Sequence, residues 1–408
     1  MKKHLAKKLT ALLLAVLTTI SMMAGCTFTA MADDDAAAVD STTAAVWGDK
    51  GGESQVCGDP DGKYTIGVVI HTTTDFLCAK YKAYSDYLGK KFGVIFTYYI
   101  IENFADETYL AAIENLCAQG VNGIITTNFS GTAVLQGLKI CEENGVYLGV
   151  GWASIDDSIK DQVYASDYFV GASYEDDYNA GYKIIESLID AGCKNIAPIG
   201  YEPGITCHDN RWKGMMAAFE DHPEIKKAGE YRGLEFTKAV EDYLASDSTI
   251  DGIAITLLGI EYCEEPIKSA GREGQVKIAF CDLSDNCGAS LDKGETTLAV
   301  GGQYVDVVFP FVMIYNALEG HPMDKVEVPV NFIYCYNGQD FQNYMTYLHA
   351  DGVYAYTADE IAPLLEKGSS SDSLLAMGKV YSIEDAMKRH GAASSAASVV
   401  SDVESSAA

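Results

Sequence analysis

Basic residues are scarce in this sequence, and they do not cluster. The chain contains 29 Lys and Arg against 58 Asp and Glu, so its formal net charge is −29. A surface that follows nucleic-acid phosphates needs grouped Lys and Arg side chains, and no basic patch occurs after Lys8. Nucleic acid is therefore excluded as a partner, and the excess of acid indicates an exposed, self-repelling surface.

Catalytic and metal-binding motifs are also absent from the sequence. It has no G-x-S-x-G elbow, no H-E-x-x-H pair and no G-x-x-x-x-G-K-[ST] loop. The 11 cysteines show no C-x-x-C spacing, and the 7 histidines are dispersed. We therefore expect a protein that is not an enzyme and that has no cofactor or metal, with most cysteines acting as small buried side chains.

The first 25 residues have the layout of an export signal. Four lysines precede an apolar run over residues 9–20, which is too short to span a bilayer with margin. Met23-Ala24-Gly25-Cys26 resembles the lipobox of bacterial lipoproteins, which implies a lipid on Cys26 and an extracytoplasmic, membrane-anchored protein. An A-x-A site at Ala30-Met31-Ala32 is the alternative, and cleavage there would release a soluble protein that starts at Asp33.

Both ends of the mature chain have compositions that are typical of unfolded segments. Residues 26–63 are rich in Ala, Asp, Thr, Ser and Gly, which predicts a flexible tether. Residues 391–408 hold six Ala and six Ser, and we predict a low-complexity tail over 367–408.

Between these ends, short β-rich segments alternate with longer amphipathic segments. Residues 65–70 and 123–127 read as buried strands, and residues 106–119 between them read as a helix. The same alternation restarts after Tyr164, with predicted strands at 195–199 and 252–256. The pattern predicts an α/β protein with two open parallel-sheet lobes, and in such sheets ligands lie at the carboxyl ends of the strands.

Five features in chain order resemble those of the sugar-type substrate-binding proteins of ABC importers, the ribose-binding-protein-like members of the periplasmic-binding-protein type 1 family. They are a first strand followed by Phe76, the turn Gly120-Val121-Asn122-Gly123-Ile124-Ile125, the step Arg211-Trp212-Lys213-Gly214, then Asp282 and Gln303. The resemblance covers residues 64–365.

This resemblance implies two similar lobes joined by a three-strand hinge, with a ligand cleft between them. The chain would cross between the lobes near Val170, Gln303 and Asn331. The N-terminal lobe would then comprise residues 64–170 with 303–331, and the C-terminal lobe residues 171–302 with 332–366.

The same residues suit a small polyhydroxylated ligand. Arg211 offers a rigid donor fork, Asp282 a pair of acceptors, and Gln303 both roles. Phe76 and Trp152 could sandwich a ring, with Trp212 flanking the cleft and Asn128 adding a polar contact. The structural alternatives are an Arg211 that is solvated or that forms an ion pair from lobe to lobe, an Asp282 that caps the next segment, a Gln303 confined to the hinge, a core Phe76 and a turn-forming Asn128.

Two positions depart from the ribose-type pattern. Gly151-Trp152 and Leu257-Leu258 stand where those members place polar pairs, so a ligand with fewer hydroxyls or a larger ring face is expected. The sequence thus predicts a monomeric receptor that closes around a sugar-like molecule and presents it to an ABC permease. The alternatives are a nucleoside or other heterocycle as ligand, and a sensing role with a membrane signalling partner.

Overall fold

The computed structural model describes residues 54–127 and 130–391. The predicted signal peptide, Cys26, Asn128 and the last residues of the predicted tail lie outside the described residues. Among the helices that are described, none is both long enough and apolar enough to cross a membrane.

Strands and helices alternate regularly in the first part of the chain. The strands are β1 (Ser54–Gly58), β2 (Tyr64–Ile70), β3 (Val94–Ile100), β4 (Gly123–Thr127), β5 (Tyr147–Gly151) and β6 (Phe169–Glu175). The helices are α1 (Phe76–Phe92), α2 (Asp106–Ala118), α3 (Gly131–Asn144) and α4 (Lys160–Ala165). Helix α1 begins at Asp75, whose carboxylate accepts from the Cys78 amide, and ends at Gly93 in the left-handed conformation.

The alternation continues through the middle of the chain. The helices are α5 (Asp177–Asp190), α6 (Thr206–Asp221), α7 (Phe236–Ser246), α8 (Gly259–Ser269) and α9 (Cys287–Lys293). The strands are β7 (Asn195–Gly200), β8 (Lys226–Lys227), β9 (Tyr231–Arg232), β10 (Gly252–Ile255), β11 (Lys277–Cys281) and β12 (Thr296–Gly301).

The last part of the chain returns to both lobes. A 3-10 turn (Gln303–Val307) leads into α10 (Val308–Leu318), followed by β13 (Glu327–Val330), β14 (Ile333–Cys335) and α11 (Gly338–Tyr344). A π-helical turn (Met345–His349), α12 (Ala358–Ile361), a second 3-10 turn (Ala362–Leu365) and α13 (Ser371–Val380) come next. A final described helix covers residues 383–391.

These strands form two separate sheets, one in each lobe. The first has the order β1-β3-β2-β4-β5-β6-β13 and is parallel except for β1, which runs antiparallel to β3. The second has the order β14-β12-β11-β10-β7-β8, with β9 also paired to β7, and only β14 runs antiparallel. The predicted two-lobed α/β architecture is confirmed.

Three connections join the lobes. They lie between Glu175 and Asp177, between Gly301 and Gln303, and between Val330 and Ile333. The first crossing therefore follows Glu175 and not Val170. Strand β6 remains in the first sheet over its whole length, because it pairs with β5 on one side and β13 on the other.

Of the residues 332–366 predicted for the second lobe, β14 pairs with β12 of the second sheet, whereas the segment that includes Ala350 and Tyr356 packs on the first lobe. Lys80 Nζ donates to the Ala350 carbonyl at 2.8 Å, and Tyr84 Oη donates to the Tyr356 carbonyl at 2.6 Å. The predicted tail also begins too early. Leu374 and Tyr381 are fully buried, so the apolar residues of this stretch form a folded helical extension.

The predicted tether likewise extends too far. Residues Ser54–Gly58 form β1 and pair in antiparallel register with β3, from Ser54 opposite Tyr99 to Gly58 opposite Ile95. Strand β1 lies at the edge of the sheet, and its Val56 is 65% exposed. An exposed edge strand does not need the continuous apolar pattern that marks a buried strand, so no sign of it is visible in the sequence.

No disulfide joins the ten cysteines of the described residues. Nine of the ten are buried, and Cys57 is half-buried. They fill apolar positions on strands and helices, as was predicted for most of them.

Candidate functional site

A cavity of about 430 Å³ lies between the two lobes. Residues that follow the carboxyl ends of the parallel strands line it from both sides: His71 after β2, Trp152 after β5, Tyr201 after β7 and Asp282 after β11. Small-molecule sites typically occupy roughly 300–1,000 Å³, so this volume suits a single small ligand.

The first lobe supplies a polar and aromatic wall. Its lining residues are His71, Asp75, Phe76, Leu77, Glu102, Asn103, Phe104, Trp152 and Glu175. The Phe76 ring stacks on His349, with centroids 3.8 Å apart and an interplanar angle of 4°. Burial lowers the pKa of His349 to about 4, so its imidazole is neutral at neutral pH and packs as a flat ring.

A His–Asp pair stands at the start of α1 on this wall. His71 Nε2 lies 3.6 Å from Asp75 Oδ2 and 3.7 Å from the Cys78 sulfur. Burial is the largest single influence and would raise the pKa of Asp75, but the contact with His71 and the hydrogen bonds from Cys78 together outweigh it, so the pKa is lowered. One ligand atom from each of the three side chains lies within 4.8 Å of the others, so they could also hold a metal ion.

The second lobe supplies a more apolar wall. Its lining residues are Tyr201, His208, Arg211, Leu234, Phe236, Leu257, Leu258, Tyr262, Asp282 and Leu283. The Tyr201 ring stacks on His208 at 4.8 Å and meets the Phe104 ring of the first lobe edge-on at 5.9 Å. The two lobes therefore touch through aromatic rings beside the cavity.

Arg211 forms the base of the second wall. Its Nε donates to Asp177 Oδ1 at 2.7 Å and its Nη1 to the Thr256 carbonyl at 3.0 Å. The Arg211 side chain is 6% exposed and that of Asp177 is 5% exposed. Burial raises the pKa of Asp177 to about 7 despite the opposing effect of Arg211. Arg211 is thus neither solvated nor paired across the cleft, because Asp177 belongs to the same lobe.

Gln303 connects the two walls at the hinge. Its side-chain Nε2 donates to Asp282 Oδ1 at 2.8 Å, and its carbonyl accepts from Trp152 Nε1 at 2.8 Å. Burial raises the pKa of Asp282. A residue at a crossing thereby orients one side chain from each lobe.

A pair of buried carboxyls lies at the same hinge. Burial and the neighbouring charge of Asp306 raise the pKa of Glu175 well above its usual range. Burial also raises the pKa of Asp306, although Asp306 accepts from the Trp152 amide at 3.0 Å, which favours its ionised form. The proton shared by this pair therefore resides on Glu175.

Three residues with left-handed backbone line the cavity. Trp152 (φ 59°), Leu258 (φ 40°) and Asp282 (φ 72°) are the only non-glycine residues with positive φ in the described part of the chain. This conformation costs an L-residue roughly 1–2 kcal/mol, most readily tolerated by Asp. Backbone strain of this kind concentrates at functional sites, where surrounding structure holds it in place.

The structure brings together most of the predicted site residues. Phe76, Trp152, Arg211, Asp282 and Gln303 all line the cavity. Trp212 does not line it. Its ring packs in the core of the second lobe, where a Cβ on Gly200 would come within 2.7 Å of it, because the helix directs consecutive side chains to different faces.

Several lining residues were not predicted from the sequence. His71, Glu102 and Tyr201 directly follow strands or lie within two residues of their ends, so the strand-end rule could have found them. Leu234 lies in the connection before α7 and Phe236 is the first residue of α7, and neither position carried such a signal. Glu175 was missed because a carboxylate at the end of a buried strand contradicts the hydrophobic pattern.

Solved structures of low sequence identity share this fold. An ABC transporter solute-binding protein from Bacillus halodurans C-125 with bound myo-inositol is 16% identical, with a TM-score of 0.59 over 70% of this chain and 98% of its own. A protein of the same kind from Actinobacillus succinogenes 130z with bound D-allose is 18% identical, with a TM-score of 0.59 over 69% and 100%.

A third solved structure extends further along the chain. The 5-methylthioribose transporter solute-binding protein from Thermotoga lettingae TMO is 16% identical, with a TM-score of 0.58 over 79% of this chain and 99% of its own. A search of curated proteins found no match.

The family described as periplasmic binding protein domain matches residues 66–321, which is more than half of the chain. The match begins in β2 and ends after α10, so it includes most strands of both sheets and the first two crossings, but not β1, β13 and β14. The chain belongs to the periplasmic binding protein domain family.

Proposed function

We propose that this chain is the substrate-binding component of an ABC importer and binds a sugar or sugar-like ring molecule between its lobes. The observation that carries the proposal is the convergence of strand ends from both lobes on one cavity, with left-handed backbone at Trp152, Leu258 and Asp282. The myo-inositol, allose and methylthioribose named for the solved structures of the same fold support a small ring compound as ligand.

Hinge closure provides the binding step in this proposal. A ligand that contacts both walls has its highest affinity for the closed arrangement, so it shifts the lobes toward closure without any chemical step. Gln303 is hydrogen-bonded to Trp152 of one lobe and to Asp282 of the other, so it links the two walls in the closed arrangement.

The apolar second wall favours a second candidate ligand class. Leu257 and Leu258 lie on the same face of the cavity as the rings of Phe236 and Tyr262. Such a surface covers the face of a nucleoside base or another heterocycle as well as that of a sugar.

Ligand screening tests the proposal. The purified protein is titrated with sugars, polyols and nucleosides, and binding is followed by calorimetry and by tryptophan emission. Saturable binding that alters Trp152 emission is expected for at least one class. If no compound of the three classes binds at millimolar concentration, the proposal is contradicted.

Membrane attachment completes the proposed role. A lipid on Cys26 would hold a monomeric receptor near its permease, and the chain between Cys26 and β1 would let the lobes reach it. Mass spectrometry of the mature amino terminus tests this part, because a diacylated Cys26 is expected and a free terminus at Asp33 would contradict it.

A further inference from the structure

The cavity carries more negative than positive groups. Four carboxyl groups line it, namely Asp75, Glu102, Glu175 and Asp282, of which Glu175 holds the proton of the hinge pair and becomes negative only when that proton leaves. Arg211 is the only Arg or Lys among the lining residues, and its Nε already contacts Asp177 at 2.7 Å. The one full positive charge of the site is therefore matched by a carboxylate outside the lining.

The two histidines of the lining do not correct this imbalance. Burial, together with the nearby Arg211, lowers the pKa of His208 well below its usual range, so that ring is neutral at neutral pH. His71 lies against Asp75, with Nε2 and Oδ2 3.6 Å apart. Glu102, Glu175 and Asp282 form no direct ion pair with a lining residue, although the charge of Arg211 reaches both Glu175 and Asp282.

Glu175 gives the second, independent observation. It is 4% exposed and lines the cavity, and its Oε1 accepts from no donor group of the described residues, although the carboxyl also interacts with that of Asp306. Because a buried acceptor without a donor is unfavourable, a ligand group that donates to this oxygen stabilises the complex.

Aromatic rings surround the same space on both sides. Cations are attracted to the faces of such rings when they lie within about 6 Å of the centroid, and the attraction grows when water is excluded. The rings that line the cavity are Phe76, Phe104, Trp152, Tyr201, Phe236 and Tyr262.

We propose that the ligand carries a positively charged nitrogen on its ring, as an amino sugar, an aminocyclitol or an iminosugar does. Glu175 and Asp282 bind the nitrogen from the hinge side, and the aromatic rings cover the rest of the ring. This inference rests on the proposed function, because it assigns a charge to the ligand of the same cavity.

Protonation provides a direct signature of this chemistry. The charged and titratable groups that face Glu175 are Asp306, Asp177, Arg211 and Tyr81. The empty site keeps a proton on Glu175, and a cationic ligand favours its ionised form. Binding should then release protons, up to about one per ligand, and the affinity should rise with pH as long as the pH stays below the pKa of the ligand nitrogen.

The test compares matched pairs of compounds. D-glucosamine is compared with D-glucose and with N-acetyl-D-glucosamine, which keeps the nitrogen but removes its charge. 1-Deoxynojirimycin is compared with 1-deoxy-D-glucose. Calorimetry on the full protein in buffers of different ionisation enthalpy gives both affinity and proton release. We expect the charged member of at least one pair to bind roughly tenfold tighter or more, with proton release.

Two near-isosteric variants assign the effect to the site. Glu175→Gln keeps a hydrogen-bond donor and acceptor but cannot become negative, and Asp282→Asn keeps a residue type that tolerates the left-handed backbone. Each should reduce the preference for the charged member by roughly tenfold. Glu143→Gln, at an exposed position on α3, is the control and should leave it unchanged. Thermal melts establish that the variants are folded.

The outcomes separate this inference from the proposed function. If neutral sugars bind as tightly as their charged partners, or if Glu175→Gln keeps the full preference, the inference is overturned and the proposed function stands. If no member of any pair binds and the wider ligand screen is also negative, the proposed function is overturned together with it.

Discussion

The two lobes share one fold but present different surfaces to the cavity. The first lobe contributes His71, Asp75, Glu102 and Glu175 together with aromatic rings, whereas the second contributes mainly leucines and rings above the buried Arg211–Asp177 pair. Both sets follow strand ends, so the shared topology decides where the walls lie. The first lobe therefore provides most of the polar contacts to the cavity, and the second lobe provides most of its apolar surface.

The largest effect is expected at the base of the second wall. Arg211→Ala removes the partner of buried Asp177 and should lower the free energy of unfolding by about 3–5 kcal/mol. Chemical denaturation followed by circular dichroism measures it. Lys213→Ala, exposed on the same helix, is the control and should change stability by no more than about 0.5 kcal/mol. Equal midpoints for the two variants would show that the pair does not support this wall.

The next effect concerns the support of the first wall by His349. The folded pKa of about 4 lies below the ordinary value of 6.5, so the unfolded chain binds more protons between these values. Stability is therefore full above pH 6.5 and falls as the pH drops toward 4, by about 2–3 kcal/mol from this group. His349→Gln should have a shallower decline in melts recorded from pH 7 to pH 4. Parallel curves for the two proteins would contradict the assignment.

A smaller effect is expected from the strained backbone of the second wall. Leu258 has φ 40° and ψ 53°, so Leu258→Gly relieves about 1 kcal/mol of strain and offsets the lost side chain. Leu257→Gly has no such compensation, since Leu257 is not among the positive-φ residues. Denaturation should find Leu257→Gly less stable than Leu258→Gly by about 1–2 kcal/mol. The reverse order would rule out strain at Leu258.

The smallest effect is expected for Trp212, which lies in the core of the second lobe, in comparison with Trp152, which lines the cavity. Trp212→Phe should leave both ligand affinity and the ligand-induced change in emission intact, because Trp212 packs in the core of the second lobe. Trp152→Phe should abolish most of that change, since Trp152 lines the cavity. Fluorescence titration with any ligand found in the screen provides the comparison. If only Trp212→Phe lost the ligand-induced change in emission, the ligand would bind near Trp212 and not in this cavity.

Several site residues were predictable because they follow predictable strands. Buried strands such as β2 and β11 have continuous apolar runs, and the residues after them are placed at one edge of a parallel sheet by topology alone. Asp282, which was predicted as a site residue from the family resemblance, follows β11 in this way. Trp212 was placed wrongly, because adjacency to Arg211 along a helix does not mean that both side chains face the same space.

The C-terminal segment shows where composition is misleading. Residues 371–391 lie next to a low-complexity end, yet Leu374, Tyr381 and Ala386 are fully buried. Tyr381 Oη donates to the Gly302 carbonyl at 3.0 Å, beside the second crossing. A short amphipathic segment carries little local signal when its partner surface is distant in the chain.

The alternation of strands and helices, the two lobes and the family follow from the amino-acid sequence, since hydrophobic periodicity and strand-end motifs are local properties of the chain. The folded molecule was needed to show that Arg211 pairs with Asp177, that Glu175 is buried beside Asp306, and that three residues with left-handed backbone line one cavity. Such pairings join residues far apart in the sequence, so burial and distance in the folded molecule determine them, and no local pattern records either.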